Sequence, residues 1–326
     1  MRNRALLSVG MPVYNAERFL ESALRSVLNQ TFTEFDLILS DNASTDRTFQ
    51  ICQDFAAQDR RIRLYRSDYN RGGGWNHNHV LELATGDYFK WATHDDVCGP
   101  TMVERCIAAL DQDPRVVLAH PRTTVIDEQE NVIENYLLEL QTDSLDPAVR
   151  FRELIMSYHM CYQIYGVIRR SALERTGPMG NFVHGDGVLL ANLALYGRFY
   201  KLSGYLFFSR RHAGQSSQTL PSRLRSQRLR LTKKLNGLPC PEWWDPAKKR
   251  TLSFPQWRQL TEYVRMINRS PLSVKDRIRC HKVIARWIVR SRRSYVKDLV
   301  IAADQLLDNI FAPRNRSILE SEGENS

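Results

Sequence analysis

The sequence lacks the segments that mark membrane-spanning and exported proteins. No apolar run reaches the length of about 18 residues that a membrane-spanning helix needs. The apolar stretch at residues 5–11 is too short for a secretory signal, and Pro12 interrupts it. We therefore expect a chain that neither crosses a membrane nor is exported.

The cysteines also lack a pattern. None of the six cysteines forms the Cys-x-x-Cys spacing found in many redox and zinc-binding motifs. Unpaired cysteines favour a reducing compartment over a disulfide framework. The expected location is cytoplasmic, with the inner face of a membrane as an alternative.

Positive charge is abundant and unevenly placed. The formal net charge is +10, and basic runs follow Arg210, at residues 223–234, 248–250 and 286–293. This asymmetry indicates an anionic partner, either a phosphate-bearing ligand, a membrane surface or nucleic acid. At 326 residues, of which 43% are hydrophobic and 25% charged, the chain is typical of a soluble protein with one main domain and an appendage.

Short apolar runs alternate with amphipathic stretches in the first hundred residues. Four runs predict buried strands, at residues 6–11, 35–39, 62–65 and 88–92. Apolar residues at helical spacing predict helices at 19–28 and 48–57. This alternation predicts a doubly wound, mostly parallel sheet. Ligands of such sheets bind at the carboxyl ends of the strands, so the loops starting at Pro12, Ser40 and Thr93 should meet at one edge.

The pattern is looser after residue 100. Residues 102–110 and 188–196 predict helices, whereas residues 116–121, 164–169 and 199–208 predict strands. From Pro221 onward the sequence is basic and helical in pattern, with several prolines.

An acidic pair follows the fourth predicted strand. Asp95 and Asp96 would repel each other and lose solvation there, so an isolated pair is costly. A divalent cation would remove that cost, and hard oxygen ligands suit Mg²⁺ or Mn²⁺. Alternatively, one of the two carboxylates caps the helix that begins near Pro100. The residues alone leave both interpretations open.

Two further aspartates precede predicted helices. Asp41 could accept the N–H of a uracil or similar base, or it could form an Asx turn and cap the next helix. Asp186 could act as a general base that removes the proton from an acceptor hydroxyl. For each residue taken by itself, capping is the simpler interpretation.

Together these segments resemble a known enzyme family. Six motifs fall in the family's order and spacing: SVGMPVYN (8–15), QTF (30–32), DNASTDRT (41–48), NHN (76–78), ATGDY (84–88) and DD (95–96). They are similar to the family 2 glycosyltransferases, and the resemblance covers about residues 5–215. It implies an α/β fold of the GT-A type, with a Rossmann-like, mostly parallel sheet flanked by helices.

The resemblance implies a donor site built from the early motifs. Pro12 and Tyr14 would flank the nucleotide base, and Asp41 would hydrogen-bond it. Asn15 and Asn78 would be further donor contacts.

The resemblance also implies where the metal lies. Asp95 and Asp96 would bind Mg²⁺ or Mn²⁺, and Asp95 would also face the donor. Thr93 and His94 stand where many members have aspartate. We predict a donor contact for His94, with a metal ligand and a neutral spacer as the alternatives.

Later matches imply the catalytic groups. Asp186 stands where the family has its catalytic base, directly before a helix. The segment Arg210-Arg211-His212, with Ser216, resembles one that closes over the donor diphosphate. Arg211 would contact the donor and His212 the metal. The implied reaction inverts the anomeric centre without a covalent enzyme intermediate.

Glycine and tryptophan give weaker signals. Residues 72–74 are three glycines that lack the Lys-Ser/Thr of a phosphate-binding loop, so we interpret them as a flexible turn over the donor site. Trp243, Trp244 and Trp257 could form a platform for an acceptor sugar, but the core of a small helical lobe is favoured.

The basic C-terminal region has two interpretations. Residues 283–300 alternate basic side chains with the apolar residues Val283, Ile284, Trp287, Ile288 and Val296. Such a helix could rest on an anionic bilayer. Alternatively, it packs on the catalytic domain and exposes a basic face.

We therefore predict a GT-A catalytic domain at residues 1–215 and a basic, mainly helical extension at 216–326. The predicted enzyme moves a sugar from a UDP-, GDP- or dTDP-sugar to a glycan or lipid-linked acceptor in surface polysaccharide biosynthesis. Membrane contact through the extension is an option, and no nucleic acid is expected. The alternatives are a catalytically silent family member and a module that binds nucleic acid or another anion. A nucleotidyltransferase is disfavoured because the first loop lacks a glycine-rich, basic signature.

Overall fold

A nine-stranded sheet organises the part of the chain that the computed structural model describes, residues 5–215, 243–248, 251–252 and 254–311. The strands are β1 (Leu7–Val13), β2 (Phe35–Asp41), β3 (Ile62–Arg66), β4 (Tyr88–Trp91), β5 (Val97–Cys98), β6 (Val116–Ile126), β7 (Val132–Asn135), β8 (Val167–Arg169) and β9 (Arg198–Arg210). Their order is β3-β2-β1-β4-β8-β6-β9-β5, and β7 pairs with the outer end of β6.

Most long strands of the sheet run in one direction. Strands β1 to β4 pair in parallel, and β6 pairs in parallel with β9. Strand β8 is antiparallel to both β4 and β6, so those two strands point the same way. The carboxyl ends of β1, β2, β4, β6 and β9 consequently meet at one edge, as the sequence predicts.

Helices cover both faces of the sheet. The helices are α1 (Leu20–Leu28), α2 (Thr48–Gln58), α3 (Gly73–Glu82), α4 (Met102–Gln112), α5 (Pro147–Met156), α6 (Arg170–Thr176), α7 (Gly185–Tyr196), α8 (Pro255–Arg269) and α9 (Val274–Phe311). Helices α1, α2 and α4 share one hydrophobic core with the sheet, and α3 and α5 to α9 share the other. Among the described helices, none is long and apolar enough to span a membrane.

The early elements agree with the sequence because burial on both faces makes their pattern strong. All seven residues of β1 are buried, as expected of a central parallel strand. The strand predicted at residues 164–169 is confirmed only at Val167–Arg169, because a 3₁₀ helix (Tyr162–Tyr165) occupies its start. Strand β7 gives no apolar alternation to detect, because all four of its residues are exposed.

The C-terminal helices pack on the domain that carries the sheet. The ring centroid of Tyr263 lies 5.8 Å from that of Phe151 in α5 and 5.1 Å from that of Trp287 in α9. Arg279 of α9 forms an ion pair with Asp146, the residue that caps α5. Packing is therefore the interpretation that the structure favours for the face with Val283, Ile284 and Trp287. The basic run at 223–234 lies outside the described residues.

Replacing Trp287 by alanine should test this packing. Trp287 is buried between Tyr263 and Tyr295, so Trp287→Ala should lower the free energy of unfolding by about 3–5 kcal/mol. Urea unfolding followed by circular dichroism measures the change. Val289→Ala, an exposed change on the opposite side of α9, should stay within about 0.5 kcal/mol of wild type. Equal, small effects of the two changes would contradict a shared core.

Candidate active site

The loops after β1 and β2 are tied together. The backbone N–H of Asn15 donates to Oγ of Ser44 at 3.0 Å, and Oδ1 of Asn15 accepts the N–H of Thr45 at 2.9 Å. Asn15, predicted to contact the donor, thus fixes the relative position of the two loops. Its donor contact stays a prediction.

Asp41 lies at the end of β2 with a fully buried side chain. Both of its carboxylate oxygens lie 3.3 Å from the N–H of Ser44, and Nε of Arg66 lies 3.2 Å from one of them. This is the Asx-type turn predicted as the alternative to a base contact. Pro12 is buried in β1, whereas Tyr14 exposes 42% of its surface beside the same edge. The base contacts of all three residues stay predictions.

Asp95 meets His212 at the centre of the edge. Nε2 of His212 lies 3.1 Å from Oδ2 of Asp95, although 117 positions separate them in the sequence. The His212 ring packs 4.8 Å from the ring of Phe19. Burial alone would raise the pKa of Asp95, but the hydrogen bond to His212 and the charges of His94 and His212 lower that pKa below its ordinary value. Asp95 is therefore ready to act as an anionic ligand.

Asp96 points into the protein. One carboxylate oxygen accepts the hydroxyl of Thr93 at 2.8 Å, and the other accepts the backbone N–H of Arg210 at 2.8 Å. Burial and the neighbouring charge of Asp95 raise the pKa of Asp96 to about 7. Because both oxygens are already engaged, the geometry favours Asp95 and His212 over Asp96 as metal ligands.

A buried arginine, Arg210, holds the acidic loop in place. The Arg210 side chain is 1% exposed, and its Nε donates to the carbonyl of Asp95 at 2.8 Å. Its other nitrogens reach the carbonyl of Glu128 at 3.2 Å and the carboxylate of Glu130 at 2.8 Å. Arg210 thus joins the end of β9, the loop after β4 and the turn between β6 and β7.

The family resemblance assigns the donor contact to the neighbouring arginine instead. Arg211 is exposed and pairs with Glu134 of β7 at 2.7 Å, so its donor contact remains a prediction. Two adjacent arginines give no local sign of which one faces inward. The pairing of Ile126 with Arg210 at the ends of β6 and β9 determines that Arg210 is the arginine that faces inward. This pairing cannot be read from the sequence.

Asp186 lies in the first turn of α7. Its Oδ1 accepts the N–H of Gly187 at 2.8 Å, and the half-buried thiol of Cys161 hydrogen-bonds to the same carboxylate. Burial, followed by the charge of Asp186, raises the pKa of Cys161 well above its ordinary value, so the thiol stays a donor. Cys161 therefore neighbours the predicted base. Nothing in the sequence indicates this contact.

Two side chains lie within electrostatic range of both Asp186 and the acidic loop at residues 94–96. Burial and the charges of Asp96, Asp186 and Asp95 together raise the pKa of Tyr165. Burial lowers the pKa of His77, which also lies within electrostatic range of Asp186 and His94. The predicted base and the predicted metal ligands therefore share one environment.

His94 has an unused polar atom in this environment. Its Nδ1 is buried and has no hydrogen-bond partner among the described residues. A buried polar atom without a partner is costly, so a ligand that supplies one would be favoured. The predicted donor contact of His94 fits this observation.

Asn78 fixes the loop that leads to Asp186. Its Nδ2 donates to the carbonyl of Met179 at 2.9 Å, and its Oδ1 accepts the N–H of Met179 at 2.9 Å. Both ends of the amide are therefore engaged within the protein. This geometry supports a role for Asn78 in positioning the loop. It does not support the predicted donor contact of Asn78.

The three glycines at residues 72–74 are a packing surface, and the interpretation as a flexible turn is wrong. A Cβ added at Gly72 would lie 2.5 Å from the carbonyl oxygen of Trp244, and one at Gly73 would lie 2.8 Å from the ring of Trp243. Nζ of Lys248 also donates to the carbonyl of Asn181, in the loop before Asp186, at 3.2 Å. Residues 243–248 therefore brace both α3 and that loop.

The predicted tryptophan cluster divides into two. Trp243 and Trp244 form an edge-to-face pair with ring centroids 4.9 Å apart. Trp257 instead contacts Tyr295 of α9, with ring centroids 5.0 Å apart.

Several residues at this edge adopt a left-handed backbone conformation, which is uncommon for residues other than glycine. Among the described residues they are Asn15, Ala43, Glu130, Cys161 and His184. All five belong to the loops that carry or support the site.

The residues present fit a metal ion that binds together with a substrate. Within the described part of the chain, no group of three or more His, Cys, Asp or Glu could hold an ion unaided. Mg²⁺ commonly binds through one or two carboxylates, several waters and substrate phosphates. Asp95 and His212 could supply the protein's share of such a set.

Comparison with known proteins identifies similar chains. The family model described as "Glycosyl transferase family 2" matches residues 8–177. An uncharacterized glycosyltransferase of Haemophilus influenzae is 33% identical over 132 residues, which are 40% of this chain and 52% of that protein. The GalNAc(5)-diNAcBac-PP-undecaprenol beta-1,3-glucosyltransferase of Campylobacter jejuni is 26% identical over 197 residues, which are 60% of this chain and 61% of that protein.

A solved structure supports the fold. Residues 1–349 of S. aureus TarS, in complex with UDP-GlcNAc, align with a TM-score of 0.53 at 17% identity, covering 93% of this chain and 91% of that one. The predicted GT-A fold with a C-terminal helical region is confirmed. The chain spans less than two thirds of the length of the two curated relatives.

Exchanging each of the adjacent arginines for alanine should separate their roles. Arg210→Ala leaves buried carbonyl groups unpaired, so it should lower the free energy of unfolding by at least about 1–3 kcal/mol. Arg211→Ala removes an exposed ion pair and should cost about 0–1 kcal/mol. Chemical unfolding of both variants measures the difference. A larger loss for Arg211→Ala than for Arg210→Ala would argue against the buried clamp.

Two glycines with similar backbone angles allow a matched test of the packing by residues 243–248. Gly72 has φ +90° and Gly177 has φ +79°, but a Cβ at Gly177 would meet nothing within 4 Å. Each change to alanine should cost about 1–3 kcal/mol through backbone strain. Gly72→Ala should cost about 1–3 kcal/mol more, because the carbonyl of Trp244 must move. Unfolding measurements that give equal losses would show that the segment is not seated on Gly72 in solution.

Proposed function

The chain belongs to glycosyl transferase family 2, and on that premise we propose that it transfers a sugar from a nucleotide-diphosphate donor with inversion at the anomeric carbon. The observation that supports this most is that Asp186 and Asp95, which contacts His212, both lie within electrostatic range of the same side chain, Tyr165. A base and an anion-stabilising centre on the same sheet edge are what a single-displacement transfer requires.

In this proposal Asp186 is the general base. Its carboxylate takes the proton from the acceptor hydroxyl as that oxygen attacks C1 of the sugar, opposite the leaving diphosphate. The N–H of Gly187 and the thiol of Cys161 orient the carboxylate. A carboxylate held in one orientation lowers the entropic cost of reaching the reactive geometry.

Asp95 and His212 would hold Mg²⁺ or Mn²⁺ together with the donor phosphates. When bound, such an ion neutralises negative charge that develops on the departing nucleoside diphosphate. Arg210 takes no part in binding the donor in this proposal, because its guanidinium is buried against backbone carbonyls and Glu130. It positions the loop that carries Asp95.

The nucleotide would lie over the loops after β1 and β2. The exposed ring of Tyr14 is suited to cover a base. Asp41 would accept an N–H of the base only after its own contacts with Ser44 or Arg66 loosen. The donor class stays UDP-, GDP- or dTDP-sugar.

The acceptor in this proposal is a glycan or a lipid-linked glycan of a surface polysaccharide pathway. The name of the Campylobacter jejuni relative, a glucosyltransferase acting on an undecaprenol-linked acceptor, supports that class. A cytoplasmic location and membrane contact through the C-terminal helices are further parts of the proposal.

Substitution of the two central aspartates should separate binding from turnover. Asp186→Asn should retain donor binding and lose turnover by about 10²–10⁴-fold, the usual contribution of a general base. Asp95→Asn should lose metal-dependent donor binding, and EDTA should have the same effect on wild type. Release of nucleoside diphosphate from a panel of UDP-, GDP- and dTDP-sugars, with calorimetric titration of the same donors, measures both quantities.

Asp54→Asn, at an exposed position on α2, is the control and should behave as wild type. The coupling constant of the anomeric proton in the product reports inversion or retention. A retained configuration would overturn the single-displacement mechanism. Donor binding without turnover of any acceptor would favour a catalytically silent family member.

A further inference from the structure

The helix α9 has a second apolar face that the described residues leave uncovered. Its packed side buries Val283, Ile284 and Trp287 against the rest of the protein. At 3.6 residues per turn, Ile278, Val289 and Val296 lie on the opposite side of the same helix. These side chains are 52%, 64% and 60% exposed, respectively.

The charge along the middle of this helix has one sign. Residues 277–297 contain no Asp or Glu. They contain the basic residues Arg277, Arg279, Lys282, Arg286, Arg290, Arg292, Arg293 and Lys297. Arg286, Arg290 and Arg293 are exposed and flank the uncovered apolar stripe.

We propose that this outer face of α9, defined by Ile278, Val289 and Val296 with the flanking arginines, rests on an anionic lipid bilayer. Exposed apolar side chains beside several cations fit the boundary between acyl chains and anionic headgroups. The inference rests on the membrane contact included in the proposed function and names its surface, but it does not depend on the proposed sugar transfer. The face shares Val296 with the one that the sequence predicts, but it excludes Val283, Ile284 and Trp287, which are buried inside the protein.

Charge argues for a bilayer over two other partners. A second copy of α9 packed on this stripe would bring residues 277–297 of two chains together, and the like charges of these acid-free basic segments repel. Nucleic acid would complement the charge but would leave the exposed valines without a role. An anionic bilayer satisfies both features of the surface.

Vesicle sedimentation of the full chain tests the proposal. The protein should bind vesicles of phosphatidylcholine with phosphatidylglycerol, bind pure phosphatidylcholine weakly, and dissociate as salt is raised. Val289→Glu should weaken binding to the anionic vesicles by about tenfold or more, since one valine no longer enters the bilayer. Val132→Glu is the matched control, because Val132 of β7 is 65% exposed and away from α9, and it should bind as wild type.

Circular dichroism and thermal melting of both variants confirm that they fold. Equal binding to neutral and anionic vesicles, or wild-type binding by Val289→Glu, would overturn the proposal. Tight, salt-sensitive binding of double-stranded DNA that Val289→Glu leaves unchanged, without vesicle binding, would assign the basic face to a polyanion. A dimer in sedimentation velocity that Val289→Glu dissociates would assign the stripe to a second copy.

Discussion

The buried guanidinium of Arg210 is the interaction on which the rest of the site depends. A guanidinium presents its donors in a rigid planar fork and stays charged inside the protein. Burying it is tolerable only where acceptors surround it, and here they come from Asp95 and from the turn at Asp127 to Glu130. The need to satisfy one cation therefore fixes three separate segments relative to one another. The contact between Asp95 and His212 is a consequence of that arrangement.

The C-terminal helices extend this dependence into the other half of the molecule. Asp146 caps α5 through the N–H of Ala148 at 2.9 Å and also pairs with Arg279 of α9. Helix α7, which begins beside Asp186, shares its hydrophobic core with α5, α8 and α9. Residues well beyond the segment that the family model matches thus support the helix that presents the proposed base.

Most of the fold could be predicted from the sequence, because strands buried on both faces and amphipathic helices leave strong periodic signals. Strand β1 and helix α1 are examples, with bounds close to the predicted ones. The meeting of the loops after β1, β2 and β4 followed from strand direction alone. Asp95 and His212, which the family resemblance placed at a metal site, are in contact.

What could not be predicted depended on partners distant in sequence. Adjacent residues such as Arg210 and Arg211, or Asp95 and Asp96, have the same local composition, and tertiary pairing decides which one points inward. The glycines at 72–74 allow flexibility or close packing, and only the position of Trp243 and Trp244 distinguishes the two. In α9 the sequence shows apolar residues around most of the helix, so the face that packs depends on α5 and α8.

The residues with left-handed backbone conformation make the edge of the sheet less stable than the hydrophobic cores. Each such residue costs on the order of 1–3 kcal/mol, and five of them support one set of loops. The cores on either side of the sheet must compensate for this local cost. The edge should therefore open in sub-global fluctuations before the cores do. The hydrophobic cores beneath the edge keep its loops rigid. A mutation that weakens a distant core contact would therefore disorder the site at conditions under which the rest of the chain is still folded.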